Sequence, residues 1–221
     1  MSKDRLVFAP STKQYEKSQL LRENLDPNPI VQFNKWYQNA IASGESLPES
    51  VTLSTASLPS GRVSARVVLF KELDLRGFIV FSNWHTSKKN ADIRSNPQAA
   101  LTFFWKSLEQ QVRIEGHTEF ISQDESLEYF RTRPRESRIG AHASPQSQPV
   151  LSRQALDDKV GLARQKFEGV EDIPLPEGWG GLRIVPTEIE FWQGRANRVH
   201  DRFTYKRENE DSEWAIERLA P

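Results

Sequence analysis

The sequence predicts a mainly β protein with peripheral helices (α+β), built around a β-barrel. Two observations carry this. Six to eight short apolar runs are separated by turns of the antiparallel kind, and the helical patterns lie around this series as added elements. The chain has 221 residues, 37% hydrophobic and 27% charged, with no internal repeat and no low-complexity linker, which suits one globular domain with a full core.

Residues 1–25 are polar and lack a clear period, which predicts an N-terminal arm that is mobile or ordered by a partner or ligand; residues 26–221 form the single domain. Asn28-Pro29 opens a helix, since proline suits the first turn. Ile30, Phe33, Trp36, Tyr37 and Ile41 recur at helical spacing as its core-facing stripe, and Gly44 ends it. Val51–Ala56 reads as a strand, Pro59-Ser60-Gly61 as a turn and Val63–Lys71 as a second strand. Gly77–Ser82 is a third, entered through a hairpin connection at Asp74–Gly77. Thr86 is the candidate cap of a short helix through Arg94, closed by Asn96-Pro97. Ala99–Trp105 and Gln111–Phe120 are two further strands around a polar loop at Ser107. Ser122-Gln123-Asp124-Glu125 is a capping box for a helix carrying Leu127, Tyr129 and Phe130, which Pro134 stops. Ser152 begins a longer amphipathic helix ending near Gly169, and Pro174, Pro176 and Gly178 mark a loop. Gly181–Val185, Glu188–Gln193 and Trp214–Leu219 are the final strands, with a further one near Phe203–Arg207.

Thirty basic and thirty acidic residues cancel, which argues against a general nucleic-acid or membrane-surface binder. The absence of cysteine excludes disulfides, thiolate nucleophiles and cysteine-based metal sites. Four scattered histidines without an HExxH pattern give no expectation of a metal. Met1–Pro10 carries Lys3, Asp4 and Arg5 without a long apolar run, and no window approaches a membrane span, so a cytoplasmic location is expected. Walker A, GxGxxG and GxSxG patterns are missing, so Rossmann and P-loop readings fail.

Local basic clusters must then be specific sites. An extended chain from Arg198 would put Arg198, His200 and Arg202 on one face. Three such groups repel unless an anion lies between them, and arginine is shaped for bidentate contact with phosphate or carboxylate. A solvated edge strand is the alternative; flanking Phe191, Trp192 and Phe203 favour a planar, phosphorylated ligand. Arg66 and Lys71 bracket Val67-Val68-Leu69-Phe70, with parity placing the two cations on opposite faces. They serve one ligand only if it wraps the strand end or a bulge resets the alternation; otherwise they are ordinary strand-end charges. Ser87-Lys88-Lys89 lies at a helix start, where backbone N–H groups favour anions and lysines oppose the macrodipole. A phosphate would account for them, against two solvated surface lysines. Tyr129 and Arg133, four apart on a helix, share a face, and Ser137 follows Pro134. These form a phosphate clamp, against a core tyrosine and a surface arginine. Gln111 and Gln146-Ser147 offer amide and hydroxyl groups to a heteroaromatic edge.

Together these segments, with Phe81-Ser82-Asn83, Trp179-Gly180-Gly181, Trp192-Gln193-Gly194 and the terminal Arg218-Leu219-Ala220-Pro221, resemble the pyridoxamine 5′-phosphate oxidase family, most closely its fungal members. The resemblance runs from about residue 26 to the end. It implies a split β-barrel FMN-binding fold and a homodimer with FMN at the subunit interface. It implies oxidation of pyridoxamine 5′-phosphate and pyridoxine 5′-phosphate to pyridoxal 5′-phosphate, with O2 as acceptor and H2O2 as product. Arg66, Val67, Val68, Leu69, Phe70, Lys71, Phe81, Ser82, Lys88, Lys89, Gln111, Gln146, Ser147, Trp192 and Arg202 fall on its FMN positions. Lys71, Tyr129, Arg133 and Ser137 fall on its substrate-phosphate positions. Arg198 and His200 fall beside the substrate ring as the catalytic pair, with Val199 between them where leucine is usual. The implied chemistry is hydride transfer from substrate C4′ to flavin N5, with His200 hydrogen-bonding the substrate or assisting proton movement. His142 stands where the family commonly has tryptophan, and Tyr15 matches a lid tyrosine. The competing readings are a non-catalytic binder of FMN or pyridoxal phosphate, a flavin reductase with a nicotinamide donor, and a nucleic-acid-binding barrel. The substrate set argues against the first two and zero net charge against the third.

Overall fold

The computed structural model describes residues 14–221. Expectations for residues 1–13 of the arm lie outside the described residues. Eight strands run in chain order: β1 (Ser50–Ser57), β2 (Arg62–Leu73), β3 (Phe78–Asn83), β4 (Gln98–Trp105), β5 (Gln110–Phe120), β6 (Trp179–Gln193), β7 (Asp201–Lys206) and β8 (Ala215–Leu219). Five helices accompany them: α1 (Pro29–Ala42), α2 (Lys88–Ser95), α3 (Gln123–Thr132), α4 (Arg135–Ala143) and α5 (Arg153–Lys166). The strands follow the order β3-β2-β1-β4-β5-β6, and β3 also pairs with β6, closing a six-stranded antiparallel barrel; β7 and β8 extend from β6. Among the described residues no helix is long and apolar enough to cross a membrane.

Alternation builds the barrel core. Val51 and Leu53 of β1, Leu101, Phe103 and Trp105 of β4, and Val112 and Ile114 of β5 all point inward. Helix α1, capped by the Asn28 side chain on Ile30 N–H, lays Phe33 into this core, edge-on to Phe70 and Phe78. Ile41 departs from the expected stripe: it lies in the last turn and is 48% exposed. A second core of Phe130, Ile139, Ala143, Ala163, Phe167, Ile173 and Trp179 joins the helices α3, α4 and α5 to the start of β6.

Several expectations are corrected. Ser87, not Thr86, caps α2: its hydroxyl accepts from Asn90 N–H, while Thr86 Oγ1 donates to the Gln146 carbonyl. Pro134 stops α3 as expected, but it also starts α4, because its φ of −51° suits a helix entry. The two strands expected at Gly181–Val185 and Glu188–Gln193 are one fifteen-residue strand. Pro186 interrupts neither, because it sits at a register shift opposite Glu115 and Gly116, where a missing N–H is tolerated. Gly116 permits this approach: a Cβ there would lie 2.0 Å from the Val185 carbonyl oxygen. Finally, residues 14–25 are docked on the barrel rather than detached. Leu20 is buried, and its N–H donates to Asp201 Oδ2 at 3.1 Å.

Candidate active site

One cavity of about 950 Å³ opens between β2, β3, the start of α2, and the α3–α4 segment. Its wall carries Arg66, Lys71, Lys88, Lys89 and Arg133, and no carboxylate is among its lining residues. Arg66 and Lys71 both line this cavity because its wall takes residues from both faces of β2, Ser64 to Leu69, and Lys71 follows Val67 and Leu69 in alternation. The β2–β3 register shifts only between Phe70 and Glu72, so the bulge does not reset the alternation between the two cations, and a ligand serving both would have to wrap the strand. Val67, Val68 and Leu69 line the cavity, whereas the Phe70 side chain turns into the barrel core.

Asp92 organises two of the cations. Its buried carboxylate accepts from Lys88 Nζ at 3.0 Å and Thr55 Oγ1 at 2.7 Å, and lies 3.7 Å from the Arg66 guanidinium. Burial pushes its pKa up, but the hydrogen bonds from Thr55 and Lys88 outweigh this and hold it below the usual carboxylate range. Arg66 also donates to the Leu53 carbonyl, Thr55 Oγ1 and Ser64 Oγ, which fixes its fork. Asp92 was not foreseen; its four-residue offset from Lys88 was the available signal.

Lys89 has no carboxylate partner among the described residues. It is 7% exposed and donates to Gln146 Oε1, which Ser82 Oγ also reaches at 3.1 Å. Burial, and then the charge of Arg66, push its pKa down to about 8. Ser147, beside Gln146, lines the cavity with a left-handed backbone (φ 67°).

Tyr129 and Arg133 both line the cavity, but not as a shared helix face. Arg133 is the C-cap of α3 with extended backbone, and its guanidinium lies 4.8 Å from the Trp179 ring centroid. Its Nη1 is buried without a hydrogen-bond partner among the described residues, and burial pushes its pKa down. Such an orphan donor is costly unless something accepts from it. The Tyr129 ring stacks on Phe81 at 3.8 Å, and Ser137 adds a hydroxyl from the first turn of α4. His142 packs its ring towards Phe130 and Phe167 and bonds the Pro174 carbonyl, so its substitution acts on the second core.

Gln111, Trp192, Arg198, Val199, His200 and Arg202 do not line this cavity. They form a second group around the end of β6, with Gln111 and Arg202 both paired in register to Trp192. The expected one-sided triad is corrected here. Arg198 is not extended; it ends a tight turn, Ala196–Arg198, with φ 63°. Arg202 needs no external anion, because buried Glu190 takes its Nε and Nη2 at 2.9 and 3.0 Å. The His200 ring tilts against Trp192 at 4.7 Å, and Tyr15 meets it at 5.8 Å. Its Nδ1 accepts from Arg195 N–H at 3.1 Å, which leaves the proton of a neutral ring on Nε2. Burial, then Arg198, lower its pKa, favouring that neutral form.

A pyridoxamine 5′-phosphate oxidase family model matches residues 38–167, and a model of the pyridoxine 5′-phosphate oxidase C-terminal dimerisation region matches residues 179–221. The chain is 54% identical over 217 residues to a pyridoxamine 5′-phosphate oxidase of Saccharomyces cerevisiae, covering 98% of this chain and 95% of that one. It is 45% identical over 215 residues to a pyridoxine/pyridoxamine 5′-phosphate oxidase of a Nostoc species, covering 97% and 99%. The crystal structure of PhzG from Burkholderia lata, in complex with tetrahydrophenazine-1-carboxylic acid, matches at a TM-score of 0.83 and 27% identity, over 91% of this chain and 98% of that one. With its barrel, its cation-lined cavity and these matches along nearly its whole length, the chain belongs to the pyridoxamine 5′-phosphate oxidase family.

Proposed function

We propose that the chain is an FMN-dependent oxidase that converts pyridoxamine 5′-phosphate and pyridoxine 5′-phosphate to pyridoxal 5′-phosphate, using O2 and yielding H2O2. The observation that carries this is a cavity wall of five cations whose nearest carboxylates, Asp92 beside Arg66 and Lys88 and Glu49 beside Lys71, lie outside the lining, while Lys89 and Arg133 meet none among the described residues and Arg133 keeps a buried donor unpartnered there. Two phosphorylated ligands would satisfy it.

The residues fit FMN. Arg66, Lys88 and Lys89 would hold its phosphate, and Ser82, Gln146 and Ser147 would offer hydrogen bonds beside the Val67–Leu69 edge. Bound FMN supplies a two-electron acceptor for the substrate and a route for those electrons to dioxygen. Lys71, Tyr129, Arg133 and Ser137 would grip the substrate phosphate, turning a bimolecular encounter into a held geometry. Arg198 would orient the substrate ring. His200, with Nδ1 occupied by Arg195 N–H, would donate a hydrogen bond from Nε2 rather than accept a proton there.

A homodimer belongs to the same reading. The second group (Gln111, Trp192, Arg198, Val199, His200, Arg202) would complete the cavity of the other subunit. In support, β2 presents an apolar stripe beside the cavity, with Val63 73% and Val67 68% exposed, and the C-terminal match is to a dimerisation region. The test is to purify the protein, record its flavin absorbance and identify the flavin. Peroxide release with pyridoxamine 5′-phosphate is then assayed, and sedimentation gives the oligomeric state. About one FMN per chain, peroxide and a dimer are expected. FAD, no flavin, or an active monomer would overturn the reading.

A further inference from the structure

The turn between β4 and β5 holds a residue that neither the fold nor the proposed chemistry explains. Glu109 has φ 57°, a left-handed conformation that glycine or asparagine adopts far more readily. It is 3% exposed, and among the described residues no cation pairs with its carboxylate. Its surroundings hold the strained backbone in place. The Glu109 carbonyl accepts from Gly194 N–H at 2.8 Å and from Gln193 Nε2 at 3.2 Å, and Gln193 Oε1 is tied to Gln110 Nε2 at 3.0 Å. Strain kept this way marks a functional constraint rather than an accident of the turn.

The strained backbone delivers the carboxylate to the arm. Glu109 Oε2 accepts from two successive main-chain N–H groups, Glu16 at 2.9 Å and Lys17 at 3.1 Å. The residue just before them, Tyr15, lies edge-on to Trp192 at 5.6 Å and to His200 at 5.8 Å. Gly194 makes the seat: a Cβ there would lie 2.7 Å from Cγ of the Tyr15 ring. One unbroken set of contacts thus runs from the end of β6, through the turn, to the arm and back to the imidazole.

We propose that Glu109 is a positioning residue, which through the arm backbone seats Tyr15 against Trp192 and His200 and so fixes the imidazole beside the reacting substrate. This rests on the oxidase reading of the site for its kinetic consequence, but not for the anchoring itself.

The test uses the FMN-loaded protein and three variants. Glu109→Gly removes the carboxylate and relieves the backbone; Glu109→Gln keeps an acceptor oxygen at the same place; Gly194→Ala displaces Tyr15 with the anchor intact. Hydrogen exchange of residues 14–20 is read alongside melting temperature, flavin content, and kcat and KM for pyridoxamine 5′-phosphate. In Glu109→Gly, exchange at Glu16 and Lys17 should accelerate at least tenfold, as expected for losing two hydrogen bonds to a charged acceptor. Its melting temperature should not fall, its flavin should stay, and its kcat/KM should drop roughly tenfold or more. Glu109→Gln should restore both exchange protection and kinetics. Gly194→Ala should reproduce the kinetic loss while Glu16 and Lys17 stay protected. Wild-type exchange in Glu109→Gly, or loosened exchange with unchanged kinetics, would overturn the proposal. So would a Glu109→Gln variant as impaired as Glu109→Gly. A wild type that does not oxidise the substrate would defeat the oxidase reading instead, and the exchange data would still decide the anchor.

Discussion

Replacing Lys89 by methionine should stabilise the ligand-free protein at neutral pH. Lys89 is nearly buried, and its pKa falls from an ordinary 10.5 to about 8, first through burial and then through the charge of Arg66. A pKa of about 8 in place of 10.5 corresponds to about 3 kcal/mol of unfavourable interaction for the charged form in the folded state. Below pH 8 both folded and unfolded chains carry the proton, so the folded state bears this term in full. Between about 8 and 10.5 the unfolded chain binds more protons, so stability rises with pH; above that range the term is gone. Lys89→Met should therefore exceed the wild type by up to about 3 kcal/mol at pH 7, with the gap closing towards pH 10. FMN affinity should move the other way, falling roughly ten- to a hundredfold at pH 7 as a charge-assisted bond to phosphate is lost. Urea unfolding of both deflavinated proteins at pH 7 and pH 10, at one protomer concentration, measures the first effect; flavin fluorescence titration measures the second. A variant no more stable than wild type at pH 7, or a gap that does not change with pH, would refute the argument.

Arg133→Ala should raise KM for pyridoxamine 5′-phosphate by roughly ten- to a hundredfold with bound FMN nearly intact, as steady-state kinetics with flavin content would read; flavin loss with normal substrate binding would reassign the clamp. His200→Ala should lower kcat at saturating substrate and keep its flavin. Because the His200 pKa is lowered, the neutral ring that accepts from Arg195 N–H persists as pH falls through the usual imidazole range, and a pH–rate profile should show its acid limb below pH 6.5. Gly116→Ala should cost about 1–3 kcal/mol in thermal or urea unfolding, since its Cβ would meet backbone opposite the bulge rather than a side chain that can swing away.

The elements that depend on local chemistry were legible in the chain. The Ser122 capping box, the Asn28-Pro29 helix start and the alternating strands β1, β4 and β5 all stand where residue pattern places them. What was not legible depends on partners distant in sequence. The bulge at Lys71 exists only in register with β3, and the passage of β6 through Pro186 only opposite Glu115 and Gly116. Pro134 signals a stop in the sequence, but local rules do not say that the same proline opens α4. The charge on Arg202 looked unanswered because Glu190, twelve residues away in sequence, meets it only across the β6–β7 pair. The left-handed turn at Arg198 broke a parity argument that assumed extended backbone.

Asp92 sets an ionic stoichiometry for the cavity. Arg66, Lys88 and Lys89 against this single carboxylate leave a surplus of two positive charges, since Lys89 stays protonated at neutral pH. A phosphate monoester carries close to two negative charges at that pH. A monoester dianion therefore neutralises the Arg66, Lys88 and Lys89 end of the wall, whereas a singly charged phosphodiester there leaves one charge over. The balance favours a phosphate monoester over a single phosphodiester and disfavours the unphosphorylated flavin. It also leaves the emptied wall with an appetite for inorganic dianions, so deflavinated protein should gain stability from phosphate or sulfate at concentrations where chloride does nothing.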